Sequence, residues 1–268
     1  MNKDTKIFFS FSKFPGNSGA KFHNLGYKLK NFNGIYLPQQ ADNIKNIILL
    51  INNIKNFQGF SLSMPFKKKI IKYLDYKDSS VIESENCNTV LITKNKLKGF
   101  NTDYLGIKKI FKKYSLHKFS SVLILGNGGV ATSFYKIALY FNFKEIFLSA
   151  RDKKKYDKWN INKRNTKIIN WLNRGSLKSQ LIINATPIGM KEIKDKDVIF
   201  YKDRKNFDIY FDVVINGKNN SFSKYFIKKN KYISGLEFSL YQAMEQFKIY
   251  TGKNLNFNIM KKKLGYKI

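Results

Sequence analysis

Short apolar stretches of strand-like composition alternate along the chain with segments whose apolar residues recur every three to four positions. That alternation predicts an α/β protein. Residues 6–12 read as a strand, 19–29 as a helix and 35–38 as a strand. A helical stretch follows over 41–54, then a strand over 59–63 and a helix entered at Pro65, whose fixed φ suits a first turn. A helical pattern over 104–114 leads into 120–125, a β-rich run that ends at a cluster of glycines. Strand-like runs recur at 145–150, 181–185 and 209–214, with lysine-rich segments between them, and crossovers of that length imply a parallel sheet. Residues 236–250 return to helical spacing, and 260–268 read as a basic tail.

Composition narrows the class. A chain of 268 residues has room for two modest domains, each with its own core. No apolar run approaches the roughly 20 residues of a membrane span, so no membrane partner is expected. The opening Met1-Asn2-Lys3-Asp4-Thr5 enters a strand-like run without the pattern of a secretory signal, and the single cysteine, Cys87, can form no internal disulfide. A cytoplasmic location is the expectation, with Cys87 a small buried residue and no metal site.

The net charge of +32 raises the question of nucleic acid. Only Arg151, Arg164, Arg174 and Arg204 among the 50 basic residues are arginine, the side chain whose fork reads phosphates and bases. The lysines are spread along the chain among many Asn, Ile, Phe and Tyr, as A/T-rich coding at tolerant surface positions would leave them. With no RNP, zinc-knuckle or helix-turn-helix signature, a nucleic-acid partner is not expected.

The run Val122-Leu123-Ile124-Leu125-Gly126-Asn127-Gly128-Gly129-Val130-Ala131 reads as a buried strand, a Gly-x-Gly-x-x-Ala turn and a helix. Gly126 permits the tight turn, Gly128 lets backbone approach a pyrophosphate, and Ala131 allows close helix–sheet packing. The free N–H groups of the helix start suit phosphates. NAD-preferring sites place an acid at the tip of the next strand, about 20 residues on. Here that tip reads Ser149-Ala150-Arg151-Asp152-Lys153-Lys154-Lys155. Arg151 and the lysines after it favour a 2′-phosphate, hence NADP, while Asp152 would come towards the ribose on a one-residue shift.

Further segments occur in a telling order. They are Gly59-Phe60-Ser61-Leu62-Ser63-Met64-Pro65-Phe66-Lys67, Asn88-Thr89, Gly99-Phe100-Asn101-Thr102-Asp103, Asn184-Ala185-Thr186-Pro187-Ile188-Gly189-Met190, and Gly235 with Gln242-Ala243. With the glycine loop they resemble shikimate dehydrogenases over nearly the whole chain. Pro15-Gly16-Asn17-Ser18-Gly19 followed by Phe22-His23-Asn24 resembles the shikimate dehydrogenase-like branch, whose N-terminus departs from the usual Ser-x-Ser-Pro.

The resemblance implies an N-terminal α/β substrate-binding and catalytic domain over 1–103, completed by returning C-terminal helices over 236–268, and a Rossmann-type NADP-binding domain over 104–235. It implies NADPH-dependent reduction of 3-dehydroshikimate to shikimate, a step towards chorismate and the aromatic amino acids, by a monomer or homodimer. Carbonyl reduction needs a hydride and a proton for the oxygen, and a cationic donor held by a carboxylate suits the second task. Lys67, at a helix start, and Asp103, at the end of a strand-like piece, are that pair. Asn17, Ser63, Asn88 and Gln242, with Asp103, are implied to bind the substrate. Gly126, Asn127, Gly128, Gly129, Val130, Ala150, Arg151, Thr186, Val213 and Gly235 are implied to bind the cofactor. His23 matches a family position, but a lone helical histidine reads more readily as structural.

The pattern is broken in one place. The two serines that usually bind the substrate carboxylate are replaced by Asn17 and Gly19, and the usual Asp-x-x-Tyr reads Asp212-Val213-Val214-Ile215. The reaction type is therefore firmer than the substrate. Quinate or another cyclic polyol acid is the alternative within the enzymes, with the carboxylate held by Asn17, Ser18 or backbone N–H groups. From another class, a catalytically silent basic nucleotide- or nucleic-acid-binding protein is the alternative, and the retained Lys67 and Asp103 speak against it.

Overall fold

Strand β1 (Lys6–Ser12) buries Phe8 and Phe11 completely, and the alternation of its side chains sends them to opposite faces of a sheet. In this computed structural model, which describes residues 1–190, 193, 198–199, 201–215 and 221–266, the chain divides into two compact units. One comprises Met1–Leu105 and the chain from Leu240 on, the other Gly106–Ser239.

The first unit continues with α1 (Ser18–Leu29), β2 (Gly34–Gln40), α2 (Ile44–Asn53), β3 (Phe57–Leu62), α3 (Phe66–Lys69), β4 (Tyr76–Lys77), α4 (Ser79–Ser84), β5 (Thr89–Thr93) and β6 (Lys96–Phe100). Its sheet runs β2-β1-β3-β5-β6-β4. β1 pairs in parallel with β2 and β3, the register that helical crossovers α1 and α2 allow, whereas β5 pairs antiparallel with both β3 and β6. The core on one face gathers Phe11, Ile47, Phe57, Phe60, Phe66, Ile70, Val90 and Cys87.

Three details depart from the sequence reading. The β5–β6 hairpin turns at Lys94 and Asn95, both at positive φ (50° and 59°), a two-residue turn that matches strand twist but here lacks the glycine that signals it. Asp103 is not at a strand end but in the first turn of α5 (Thr102–Lys113). The basic stretch from Met260 is in part helix. α9 (Phe257–Lys263) is capped by the Asn256 side chain on the Ile259 N–H and anchored by the fully buried Met260; residues 267 and 268 lie outside the described residues.

The second unit adds β7 (Ser121–Leu125), α6 (Gly129–Tyr140), β8 (Glu145–Ser149), β9 (Thr166–Ile168), β10 (Ser179–Asn184), β11 (Phe207–Asp212), α7 (Ser221–Lys228) and β12 (Tyr232–Ile233). α8 (Gly235–Thr251) begins in this unit and ends in the first. All its strand pairs are parallel, in the order β12-β11-β10-β7-β8-β9. Strands buried on both faces read as unbroken apolar runs, and Val122 to Leu125 are fully buried. The chain leaves β7 towards β8 and β9, then crosses back to β10, β11 and β12. This doubly wound order has its switch point between β7 and β10, where the carboxyl ends of open α/β sheets bind ligands. No helix of the described residues is long and apolar enough to cross a membrane.

Candidate active site

In the first unit the buried Phe66 roots α3, and the Lys67 carbonyl accepts from the Cys87 N–H at 3.0 Å, which fixes the turn from which the Lys67 side chain leaves. Its Nζ donates to Asp103 Oδ2 at 2.6 Å, and the two side chains are 16% and 11% exposed. This is a charge-assisted pair, short and mostly desolvated, with a surface left open. Asp103 is set by Asn101, whose Oδ1 accepts from the N–H groups of Asp103 and Tyr104 and so caps α5. Asn101 is itself held through Ser80 Oγ and Ser84 Oγ. The carboxylate thus stands at the positive end of a helix.

Asn88, the residue before β5, is buried and turned so that its Oδ1 accepts from the Thr102 N–H at 2.8 Å. Thr89 Oγ1 and Thr102 Oγ1 are 2.9 and 3.0 Å from the same oxygen. Gln242, on α8, donates from Nε2 to Thr102 Oγ1 at 2.7 Å. Lys67, Asp103, Asn88 and Gln242, more than 170 residues apart at the extremes, therefore meet around the start of α5.

Ser63 and Asn17 lie outside that network. Ser63 is exposed, its hydroxyl 3.4 Å from the Met64 carbonyl, and Asn17 precedes α1 without a side-chain capping bond. A Cβ on Gly19 would lie 3.2 Å from the Tyr36 ring, a tight contact. Ile215, where the family pattern carries tyrosine, is 44% exposed. Cys87 is fully buried and burial pushes its thiol up to about 12, so it is inert as a nucleophile. His23 is fully buried and desolvation takes it down to about 3. It is neutral at any working pH.

In the second unit Gly126 adopts φ +109°, and a Cβ there would lie 2.6 Å from the Ala185 carbonyl oxygen. The turn is pinned by Gly126 N–H to Ser149 O at 2.8 Å and by the Tyr156 hydroxyl to Gly126 O at 3.0 Å. Gly128, the residue before α6, is different. Its Cβ would meet nothing within 4 Å among the described residues, so their packing does not explain this glycine. α6 starts at Gly129 and Val130 with no side-chain cap and no acid in its first turn, and the fully buried Ala131 brings it against the sheet. N–H groups at that end are available to an anion.

The tip of β8 places Ser149 and Ala150 in the interior and Arg151 in solvent. Asp152 caps the following 3₁₀ turn: its Oδ1 accepts from the Lys154 N–H at 3.1 Å, and Oδ2 is 4.0 Å from Lys155 Nζ. Asn127 donates from its side chain Nδ2 to the Asp152 carbonyl at 2.6 Å, which ties the glycine loop to that tip. The Thr186 hydroxyl donates to Asn184 Oδ1 at 2.6 Å. A Cβ on Gly235 would lie 2.2 Å from the Val213 carbonyl, so Gly235 permits α8 to start against Val213. Asp212 is fully buried. It holds the Val214 N–H at 3.0 Å and Asn184 Nδ2 at 2.9 Å, and burial raises its carboxyl to about 6.

Comparison with known proteins follows the same lines. The family model of the shikimate dehydrogenase substrate binding domain matches residues 18–90. The chain is 32% identical over 257 residues to a shikimate dehydrogenase-like protein of Haemophilus influenzae, covering 94% of this chain and 92% of that one. It is 31% identical over 261 residues to a shikimate dehydrogenase (NADP(+)) of Staphylococcus aureus, with the same coverages of 94% and 92%. The solved structure of a shikimate 5-dehydrogenase-like protein superposes with a TM-score of 0.89 at 29% identity, covering 99% of this chain and 98% of that one.

Proposed function

The chain belongs to the shikimate dehydrogenase family, in its shikimate dehydrogenase-like branch, and from that premise we propose that it reduces 3-dehydroshikimate to shikimate with NADPH. The observation that carries this reading is the Lys67–Asp103 pair, 2.6 Å apart and mostly desolvated, amid the neutral amides of Asn88 and Gln242. NADPH, when bound, supplies a hydride to the carbonyl carbon. The Lys67 ammonium gives its proton to the carbonyl oxygen, so that ketone becomes alcohol and Lys67 is recharged from solvent. Asp103 holds the ammonium in place and accepts a hydrogen bond from a neighbouring ring hydroxyl. A pure binding protein has no use for such a proton-transfer pair, which counts against the silent basic binder.

In this reading residues 1–103 with 236–268 bind the substrate and 104–235 bind NADP. The start of α6, with Gly128, Gly129 and Val130, would hold the phosphates, and Gly126, Ala150, Thr186, Val213 and Gly235 would shape the rest of the cofactor site. Arg151 takes the 2′-phosphate, and the commitment of Asp152 to its own turn supports NADP over NAD. The enzyme serves aromatic amino acid biosynthesis in the cytoplasm as a monomer or homodimer.

Asn17, Gly19 and Ile215, which stand where the family pattern carries its carboxylate-binding residues, favour a second reading of the same chemistry on quinate or another cyclic polyol acid. A panel of shikimate, quinate and related cyclic acids, followed at the NADPH absorbance, separates the two. Turnover highest on shikimate supports the first reading, turnover highest on quinate or another acid the second, and no turnover on any of them refutes both.

A further inference from the structure

A line of side chains that the catalytic scheme leaves unused runs from the interior of the first unit to Asn88. His23 Nε2 lies 2.8 Å from Gln246 Oε1, Gln246 Nε2 donates to Thr89 Oγ1 at 2.8 Å, and Thr89 Oγ1 lies 2.9 Å from Asn88 Oδ1. His23, Gln246, Thr89 and Asn88 are all buried, so the direction of each bond is set by the protein and not by water. We propose that His23, Gln246 and Thr89 are positioning residues: they impose one direction on this hydrogen-bond chain and thereby hold the Asn88 carboxamide with its Nδ2 free to meet a substrate hydroxyl. The proposal rests on the assignment of Asn88 to substrate.

The direction follows from counting donors. Asn88 Oδ1 accepts from a backbone N–H, that of Thr102, which fixes which end of the amide is oxygen. Gln242 Nε2 donates to Thr102 Oγ1, and Gln246 Nε2 donates to Thr89 Oγ1. Each threonine hydroxyl, already accepting, has one proton to give, and both lie within 3.0 Å of Asn88 Oδ1. Two amides feed two hydroxyls, and both hydroxyls lie nearer to Asn88 Oδ1, at 2.9 and 3.0 Å, than the 3.2 Å that separates them from each other.

The far end is held by His23. Its Nδ1 is buried with no partner among the described residues. A bare lone pair there is cheaper than an orphaned N–H, so the proton belongs on Nε2, where it donates to Gln246 Oε1. Tyr36 OH, 3.4 Å from the same oxygen, and the stacking of the Tyr36 ring on His23 at 4.3 Å keep that geometry. Were the proton on Nδ1, Gln246 would turn over. Thr89 would then give its proton to Gln246 and none to Asn88.

Two measurements test this, one of them independent of substrate. His23 and His117 are the only histidines, so a long-range ¹H–¹⁵N spectrum of histidine-labelled protein resolves both. It should show His23 neutral with the proton on Nε2 from about pH 5 to about pH 9. A proton on Nδ1, or titration in that range, overturns the proposal. The second measurement is kinetic, with shikimate and NADP⁺. Thr89→Val and Gln246→Glu, which remove or reverse the proton given to Asn88, should raise the KM for shikimate about tenfold, with kcat within about threefold and the KM for NADP⁺ within about twofold of the unmodified enzyme. Thr89→Ser should restore the KM. A shikimate KM for Thr89→Val within about twofold of the unmodified enzyme contradicts the proposal. A parent enzyme that turns over no cyclic acid refutes the functional reading instead, and the spectrum still decides the direction of the chain.

Discussion

Gly126 and Gly128 are two residues apart in one loop, yet a methyl group added to each meets opposite fates. At Gly126 the backbone is at φ +109°, where L residues are strained, and the added Cβ would sit 2.6 Å from the Ala185 carbonyl oxygen. Backbone strain of about 1–3 kcal/mol and a displacement of packed backbone of about 1–3 kcal/mol add to roughly 2–6 kcal/mol for Gly126→Ala. That is a large share of the roughly 5–15 kcal/mol that holds a domain folded. At Gly128 the Cβ meets nothing, and loss of a glycine before the helix costs less than about 1 kcal/mol. The space it enters is where the cofactor phosphates are assigned. Gly128→Ala should therefore melt close to the parent by calorimetry and bind NADP⁺ at least tenfold more weakly, about 1.4 kcal/mol. Gly126→Ala should lose both stability and binding. Undiminished NADP⁺ affinity in Gly128→Ala would refute the assignment of the phosphates to this loop.

NADP(H) should bind at least tenfold tighter than NAD(H), and Arg151→Ala should erase most of that gap; equal affinities in the unmodified protein, titrated at moderate salt, count against the 2′-phosphate role. Asp212 gives a pH signature. Its carboxyl is raised from 3.8 to about 6 in the fold, so the folded state holds the proton more tightly than the unfolded one, and the stability it contributes is full below about pH 4 and lost as pH rises through 6. Asp212→Asn, which keeps an oxygen for Asn184 and the Val214 N–H, should thus gain on the parent by roughly 3 kcal/mol in urea unfolding between about pH 4 and about pH 7. A flat difference would show the carboxyl to be unperturbed, and one that falls with pH would show it lowered; either contradicts the raised value.

The parallel sheet of the second unit is legible in the sequence because strands buried on both faces are continuous apolar runs. Val122 to Leu125 ends at a glycine that only a left-handed turn explains. The β5–β6 hairpin is not legible. β6 reads Lys96-Leu97-Lys98-Gly99-Phe100, with lysine at two of the three positions of its less buried face, and its turn at Lys94-Asn95 carries no glycine. α9 hides in a basic stretch because one buried Met260 and an Asn256 cap are enough to hold two turns. Asp103 reads as a strand end because Gly99-Phe100 precedes it. Asn101 as a helix cap is the signal that places it correctly. Lys67 and Asp103 become a pair only through the resemblance, since nothing in a chain this rich in lysine distinguishes one lysine by pattern. Thr89 and Thr102 stand in the quoted motifs without a role of their own, and Gln246 escapes the sequence reading altogether. Gln246 follows Gln242 by one helical turn and so shares its face, a hint that spacing alone does supply.

The central claim is that the proton reaching the substrate oxygen comes from Lys67. The direct test is the kcat of Lys67→Ala on whichever cyclic acid the panel selects, with NADP⁺ affinity as the control for folding. The account predicts a fall of roughly 10²–10⁴ in kcat with NADP⁺ binding nearly unchanged. Retention of more than about a third of the parent turnover would mean that the proton comes from another group, and would contradict the assignment.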